Sequence, residues 1–199
     1  HPKFVVEMAA AVTEVWGQVP EEKKESTRML FTAHSVPVAH DNVGGVEGDK
    51  NLYSRQVAEA SRLVASQAGI SDYDLVWQSR SGNPRTPWLE PDIVDHTTDI
   101  HHNEGIDTVV VCPIGFISDH MEVIWDLDSE LQKAADEMGV KVLRTRTAGP
   151  TPRFAEMVVD LIDELEHGRE WETSGSVTVQ GCTVNGAPCA AGCCDIWSR

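Results

Sequence analysis

Two residues of this chain stand where chemistry is easiest to place, a histidine and a glutamate that each follow an apolar run. His34 lies in FTAHSVP, Phe31 to Pro37, where the run RMLFTA reads as a buried strand giving way to a loop. Glu122 lies in PIGFISDHMEVIWDLDSE, Pro113 to Glu130, just after a β-branched run and in the first turn of a helix. In an open α/β sheet, ligands bind beyond the carboxyl ends of the strands. Two groups that follow parallel strands of one sheet therefore project from one edge, although 88 positions separate them in sequence. An imidazole and a carboxylate facing one cleft can serve as an acid/base pair or hand a metal ion between them. A satisfied structural histidine is the competing reading.

The same helix carries more acid. Glu122, Asp126 and Glu130 fall at i, i+4 and i+8 and stack on one face, with Asp119 and His120 at its start. Ser118 or Asp119 can cap it. A carboxylate row beside an imidazole suits a divalent metal of intermediate hardness such as Fe²⁺. A solvated acidic face has the same pattern.

A third stretch, VWQSRSGNPRTPWLEPDI, Val76 to Ile93, leaves a second strand on that edge. Arg80 and Arg85 could meet substrate carboxylates as paired donors. Trp77 and Trp88 offer flat apolar surface, or simply core. His96, His101 and His102 share one helix and read as its polar face. Cys112 reads as a small buried hydrophobe rather than a nucleophile. Gly44, Gly45 and Gly48 lack dinucleotide-loop spacing, and no Gly-x-Ser-x-Gly elbow or phosphate loop occurs.

The elements that must position these groups follow from periodicity. Helices are expected at Lys3 to Gln18, Leu52 to Gln67, about Asp92 to Asn103, Glu122 to Met138 and Pro152 to Glu166. Strands are expected at Arg28 to Ala33, Tyr73 to Gln78, Thr108 to Cys112 and Val140 to Leu143. This alternation predicts an α/β fold: a parallel four-stranded sheet with helices on both faces. From Trp171 the chain turns rich in Gly, Ser, Thr and Cys without helical period, so residues 1–170 are expected to form the α/β domain and 171–199 an irregular Cys-rich tail.

Composition narrows the classes. The 199 residues, 41% hydrophobic, can build a core. The net charge of −16, from 32 acidic and 16 basic residues, leaves no basic stripe and argues against nucleic acid as a partner. No apolar run approaches the ~20 residues that span a bilayer. With no signal-peptide pattern visible, the expectation is a cytoplasmic protein. The start at His1-Pro2 reads as an interior one.

FTAHSVP, VWQSRSGNPRTPWLEPDI and PIGFISDHMEVIWDLD, in that order and spacing, resemble the signatures of ferrochelatase. The resemblance covers roughly Lys3 to Leu165 and corresponds to the C-terminal half of that enzyme. It implies two similar α/β domains with a porphyrin cleft between them, and insertion of Fe²⁺ into the macrocycle. His34 matches the family's active-site histidine and Glu122 its partner carboxylate. Asp126 and Glu130 match an acidic row proposed as a metal path, and Trp88 matches an aromatic residue of the cleft wall. Ser35 and His120, inside the same motifs, are taken with Trp88 as substrate-contacting residues. The implied partners are ferrous iron, a porphyrin (coproporphyrin III, or otherwise protoporphyrin IX) and the N-terminal half of the enzyme. A chelatase loading cobalt or nickel into another tetrapyrrole, and a non-catalytic iron or haem carrier, are the alternatives.

The tail reads GCTVNGAPCAAGCC, placing Cys182, Cys189, Cys193 and Cys194 in a Cys-x6-Cys-x3-Cys-Cys spacing. It matches no common zinc signature, although zinc is chemically possible, and disulfides are disfavoured inside a cell. Some ferrochelatases, actinobacterial ones among them, carry a 2Fe–2S cluster on a similar extension, with three ligands from the tail and one from the body. Here the body offers only Cys112. The resemblance therefore implies a 2Fe–2S cluster on the four tail cysteines, or on three of them with a ligand from outside this chain.

Overall fold

The computed structural model describes residues 1–44, 50–149 and 151–177. The four tail cysteines lie outside those residues. Four strands form one all-parallel sheet: β1 (Thr27–His34), β2 (Tyr73–Gln78), β3 (Thr108–Cys112) and β4 (Lys141–Arg144), in the order β2-β1-β3-β4. The helices between them are α1 (Pro2–Trp16), α2 (Val38–Asp41), α3 (Leu52–Ala68), α4 (Ile93–Glu104), α5 (Met121–Val123), α6 (Gln132–Met138) and α7 (Pro152–His167).

The alternation of β-strand side chains sorts the core into two layers. Met29, Phe31 and Ala33 of β1, with Val110 and Cys112 of β3, pack against Met8 and Val12 of α1 and Val64 of α3. Leu30, Val109 and Val111 turn to the other face and meet Ile93 and Ile100 of α4 and Leu127, Leu131 and Ala135 beyond α5. Both faces are covered, as a parallel sheet of near-continuous Val, Ile and Leu requires. Each fully buried large apolar side chain contributes about 1.5–3 kcal/mol, so Phe31 and Leu30 anchor β1 from opposite sides. Cap chemistry sets several helix ends. The Asp92 carboxylate accepts from Val94 N–H before α4, and Gly69 closes α3 at φ 72°, a conformation that favours glycine.

β2 and β3 fall where expected, β1 reaches one residue further at each end and so includes His34 itself, and β4 lies one residue later than expected. The expected helix Glu122 to Met138 is less regular. Between α5 and α6 the segment Ile124–Leu131 is a π-helix, a form that recurs at functional sites. The expected cap also fails. His120, not Ser118 or Asp119, occupies the N-cap of α5, and no side chain caps it. Asp119 is held instead by Arg144 at the end of β4, Nη1 to Oδ1 2.7 Å, a charge-assisted bond that turns its carboxylate away from the helix start. Among the described residues no helix is long and apolar enough to cross a membrane.

Candidate active site at the strand ends

The connections part between β1 and β3. After β1 the chain runs through α3 on one face to β2; after β3 it runs through the α5–α6 helix on the other face to β4. Such a switch point opens a crevice beyond the carboxyl ends of the two strands. His34 is the last residue of β1, and Glu122 lies in the first turn after the β3 loop.

The two side chains meet there. His34 Nε2 lies 2.9 Å from Glu122 Oε1, with 40% and 42% of the side chains exposed, so the pair is open to a ligand rather than sealed in the core. His34 Nδ1 contacts the backbone carbonyl of Ser35. The loop from β3 reaches this position because Gly115 lets it lie flat on β1. Gly115 N–H donates to Thr32 O at 3.2 Å, and a β-carbon there would stand 2.5 Å from Ala33 Cβ. Phe116 is buried and packs edge-on to the exposed His120 ring at 5.3 Å. Arg144 grips Asp128 through Nε (2.6 Å) and Nη2 (2.9 Å) as well as Asp119, fixing how the helix enters the site.

The acidic row is partly anchored. Asp126 Oδ2 accepts from Gln78 Nε2 at 3.0 Å and from the Ser79 hydroxyl. Buried Gln78 in turn accepts from Thr32 Oγ1 at 3.2 Å. Ser79 takes φ 66°, a left-handed conformation that is uncommon for a non-glycine residue. The end of β2 is therefore tied to the π-helix, and Glu130 lies exposed one step further from His34.

The segment that carries Glu122 also leaves large apolar side chains uncovered. Ile117, Met121, Ile124 and Trp125 are 58%, 76%, 42% and 57% exposed. A cluster of this kind marks a binding surface. Trp88 is half-buried, on a strip that pairs with the segment after His34. Val38 N–H donates to Pro87 O (2.9 Å), and Leu89 N–H to Val36 O (3.0 Å). Trp88 Nε1 is buried and has no hydrogen-bond partner among the described residues.

Some expected contacts fall elsewhere. Ser35 is buried and donates its hydroxyl to Leu89 O at 2.9 Å, so it pins the loop rather than facing a ligand. Trp77 is core, at 4% exposure, so of the two tryptophans in that stretch only Trp88 is left for the crevice. Arg80 is exposed and lies 3.6 Å from Glu90, and Arg85 is exposed. His96 binds Asp74 (3.0 Å), His101 binds Ile106 O (2.7 Å) and His102 binds Thr98 O (2.8 Å), which leaves α4 a structural helix. Cys112 is fully buried, and burial pushes its thiol up to about 12, so it does not fit as a cluster ligand.

Among the described residues, one trio of metal-binding residue types has potential ligand atoms within 4.8 Å of one another, and it is His1, Glu164 and Glu172; no three of His34, Glu122, Asp126 and Glu130 come together in this way. His1 Nδ1 accepts from Lys3 N–H at 3.2 Å, so the ring proton sits on Nε2 and that nitrogen has no lone pair to give a cation. Sequence reasoning missed Tyr53, Gln78, Ser79 and Gly115. Only Gly115, a glycine following a buried strand, left a local signal.

The ferrochelatase family profile matches residues 1–166. A coproporphyrin III ferrochelatase of Corynebacterium glutamicum (strain R) is 54% identical over 194 residues, covering 98% of this chain and 52% of that protein. Proteins of the same name from Nocardia farcinica and Mycolicibacterium smegmatis are 50% and 48% identical, over 98% and 97% of this chain and 55% and 56% of theirs. The chain belongs to the ferrochelatase family. It spans about half the length of the curated relatives it matches.

Proposed function

We propose that this chain is the C-terminal half of a ferrochelatase that inserts Fe²⁺ into coproporphyrin III in haem biosynthesis. One observation carries the reading: an imidazole and a carboxylate touch at the switch point of the sheet, and the segment carrying the carboxylate leaves large apolar side chains bare. A tetrapyrrole is flat and apolar, with two pyrrolic protons at its centre that leave as metal enters. Ile117, Met121, Ile124, Trp125 and Trp88 supply the apolar walls. His34 accepts pyrrolic protons, and Glu122 is its partner across the macrocycle, where it can also hold the incoming iron. Asp126 and Glu130 offer oxygen ligands that let the ion shed water in stages. His120 lines the entrance, and Arg80 and Arg85 are exposed cations for propionates. The relatives, coproporphyrin III ferrochelatases by name, favour coproporphyrin III over protoporphyrin IX.

The N-terminal half of the enzyme is the proposed partner within the full-length protein. On α7, Val158, Val159, Leu161, Ile162 and Leu165 are 40%, 63%, 40%, 50% and 75% exposed, an apolar side that the missing half would cover. His1 lies 3.8 Å from Asp160 of that helix, so the preceding chain would enter beside it. The cytoplasm is the proposed location.

The tail is proposed to begin near residue 171 and to hold a 2Fe–2S cluster on Cys182, Cys189, Cys193 and Cys194, or on three of these with a cysteine of the other half. Its described start lies against the domain: Glu172 N–H donates to Glu164 Oε1 (2.9 Å) and Ser176 N–H to Glu59 Oε1 (2.8 Å). Thiolate ligation suits such a cluster, and a structural or sensory role fits, since insertion of Fe²⁺ needs no net electron transfer. Full-length protein purified without iron, acid-labile sulfide and visible absorbance would refute the cluster.

The reaction is tested by steady-state metalation with ferrous iron. Many turnovers on coproporphyrin III, and fewer on protoporphyrin IX, are expected. Saturation at one equivalent would instead indicate a carrier, and turnover only with cobalt or nickel a different chelatase.

A further inference from the structure

Gln78, the last residue of β2, works in two directions. Its backbone belongs to the sheet: it stands in register with His34, and its carbonyl accepts from Ser35 N–H at 2.7 Å. Its buried side chain runs from Thr32 of β1 to Asp126 of the π-helix. Chemistry fixes which end of the amide is which. A carboxylate can only accept, so the NH₂ group faces Asp126, and Nε2 donates to Oδ2 at 3.0 Å. The amide oxygen then faces Thr32, whose buried hydroxyl donates to it at 3.2 Å.

Asp126 is half-buried. Its bonds from Gln78 and from the Ser79 hydroxyl fall on the same oxygen, Oδ2, and among the described residues none falls on Oδ1. The carboxylate is thus held by one oxygen and keeps the other. A side chain held in this way gives up its rotamer freedom on folding, whereas a loose one gives it up when the cation arrives and binds more weakly for it. Because Gln78 is paired to His34 through its backbone, it also sets where Asp126 stands relative to that histidine.

We infer that Gln78 is a positioning residue for the incoming iron: with Thr32 behind it, it pins Asp126 by Oδ2 and leaves Oδ1 to the ion. The inference rests on the metal insertion proposed above, whereas the Gln78–Asp126 contact is a property of the folded protein alone. The competing account is that Gln78 merely closes the end of the core between β2 and the helix. A packing role would lower stability, and with it the active fraction, without touching the KM for iron.

The test uses full-length protein under anaerobic conditions. Gln78→Met keeps the bulk of the side chain and removes the donor. The KM for Fe²⁺ should rise roughly tenfold, as loss of one hydrogen bond to a charged group implies. The KM for coproporphyrin III, and kcat at saturating iron, should stay within about twofold. Thr32→Val, which frees the amide to turn, should move the iron KM in the same direction by less, and it stands in if Gln78→Met does not fold. On an Asp126→Ala background, Gln78→Met should raise the iron KM no further, since the residue acts through that carboxylate. An iron KM unmoved in either folded variant, equal changes in both KM values, or a full further rise on the Asp126→Ala background overturns the inference. Urea unfolding reads the contact without the reaction: the effects of Gln78→Met and Asp126→Ala on the unfolding equilibrium constant should depart from additivity by roughly tenfold. Additive effects overturn the inference as well. Coupling of that size in a protein that inserts no iron would leave the anchoring intact and remove the proposed reaction.

Discussion

Gly115 and Ala33 are in backbone contact: a β-carbon on Gly115 would lie 2.5 Å from Ala33 Cβ and 2.9 Å from Ala33 Cα. This approach lets the loop after β3 lie across the end of β1, and it brings Glu122 to His34. Since the obstacle is partly backbone, a methyl group cannot be absorbed by a side-chain rotation. Gly115→Ala should cost about 1–3 kcal/mol, as overpacking does, read as a lower urea midpoint at unchanged slope. Activity should fall further than stability alone explains, because the loop carries Glu122 away. Wild-type turnover and midpoint would show that the loop yields without consequence.

Glu122→Gln keeps the size of the side chain and removes its charge. Groups that move protons or hold charge at a reacting centre contribute about 10²–10⁴-fold. Ferrous insertion should drop by that order, while porphyrin binding, followed by fluorescence quenching, stays within a few-fold. Loss of porphyrin binding with intact turnover per bound complex would assign Glu122 to recognition instead.

Asp126 and Glu130 should matter for iron rather than for porphyrin. Asp126→Asn and Glu130→Gln are expected to raise the KM for Fe²⁺ more than the KM for porphyrin. Asp126→Asn should be the stronger, since Gln78 and Ser79 hold that carboxylate in place at the end of β2. Equal effects on both substrates would make the row a solvated acidic face.

Acid sensitivity should trace in part to Asp74. Hydrogen bonding by His96, opposed by burial and aided by the Arg28 charge, holds its carboxyl below the usual range. A depressed folded value means that the contribution is complete above the ordinary carboxylate range and is lost as pH falls through the lowered value. Wild-type stability should therefore decline across that acidic window, and Asp74→Asn should be less stable near neutrality with a flatter profile below it. Parallel profiles for the two proteins would contradict this.

The bare side of α7 gives a separate test. Ile162→Asp in full-length protein should cost more than 1 kcal/mol if the N-terminal half covers that side, since truly exposed substitutions stay within about 0.5 kcal/mol. A neutral effect would leave α7 facing solvent.

Much of this was legible in the sequence. The β-branched run Thr108–Cys112 and the alternating Tyr73–Gln78 needed only period and composition, and their ends fall where expected. Placing His34 and Glu122 together required one further rule, that parallel strands share an edge for their ligands. The rest depends on contacts distant in sequence. Tyr53 reaches the His34 carbonyl from 19 residues away, and Gln78 reaches Asp126 across 48. Neither leaves a local pattern. The π-helix at Ile124–Leu131 escaped because an i, i+4 carboxylate row fits a regular helix equally well. Ser35 read as a site residue by adjacency to His34, whereas just past the end of β1 its hydroxyl turns inward to Leu89 O.

The most direct measurement is steady-state ferrous insertion into coproporphyrin III by full-length His34→Ala, with porphyrin affinity determined on the same preparation. Turnover should vanish while porphyrin still binds. Near-normal turnover in that variant would contradict the account at its centre.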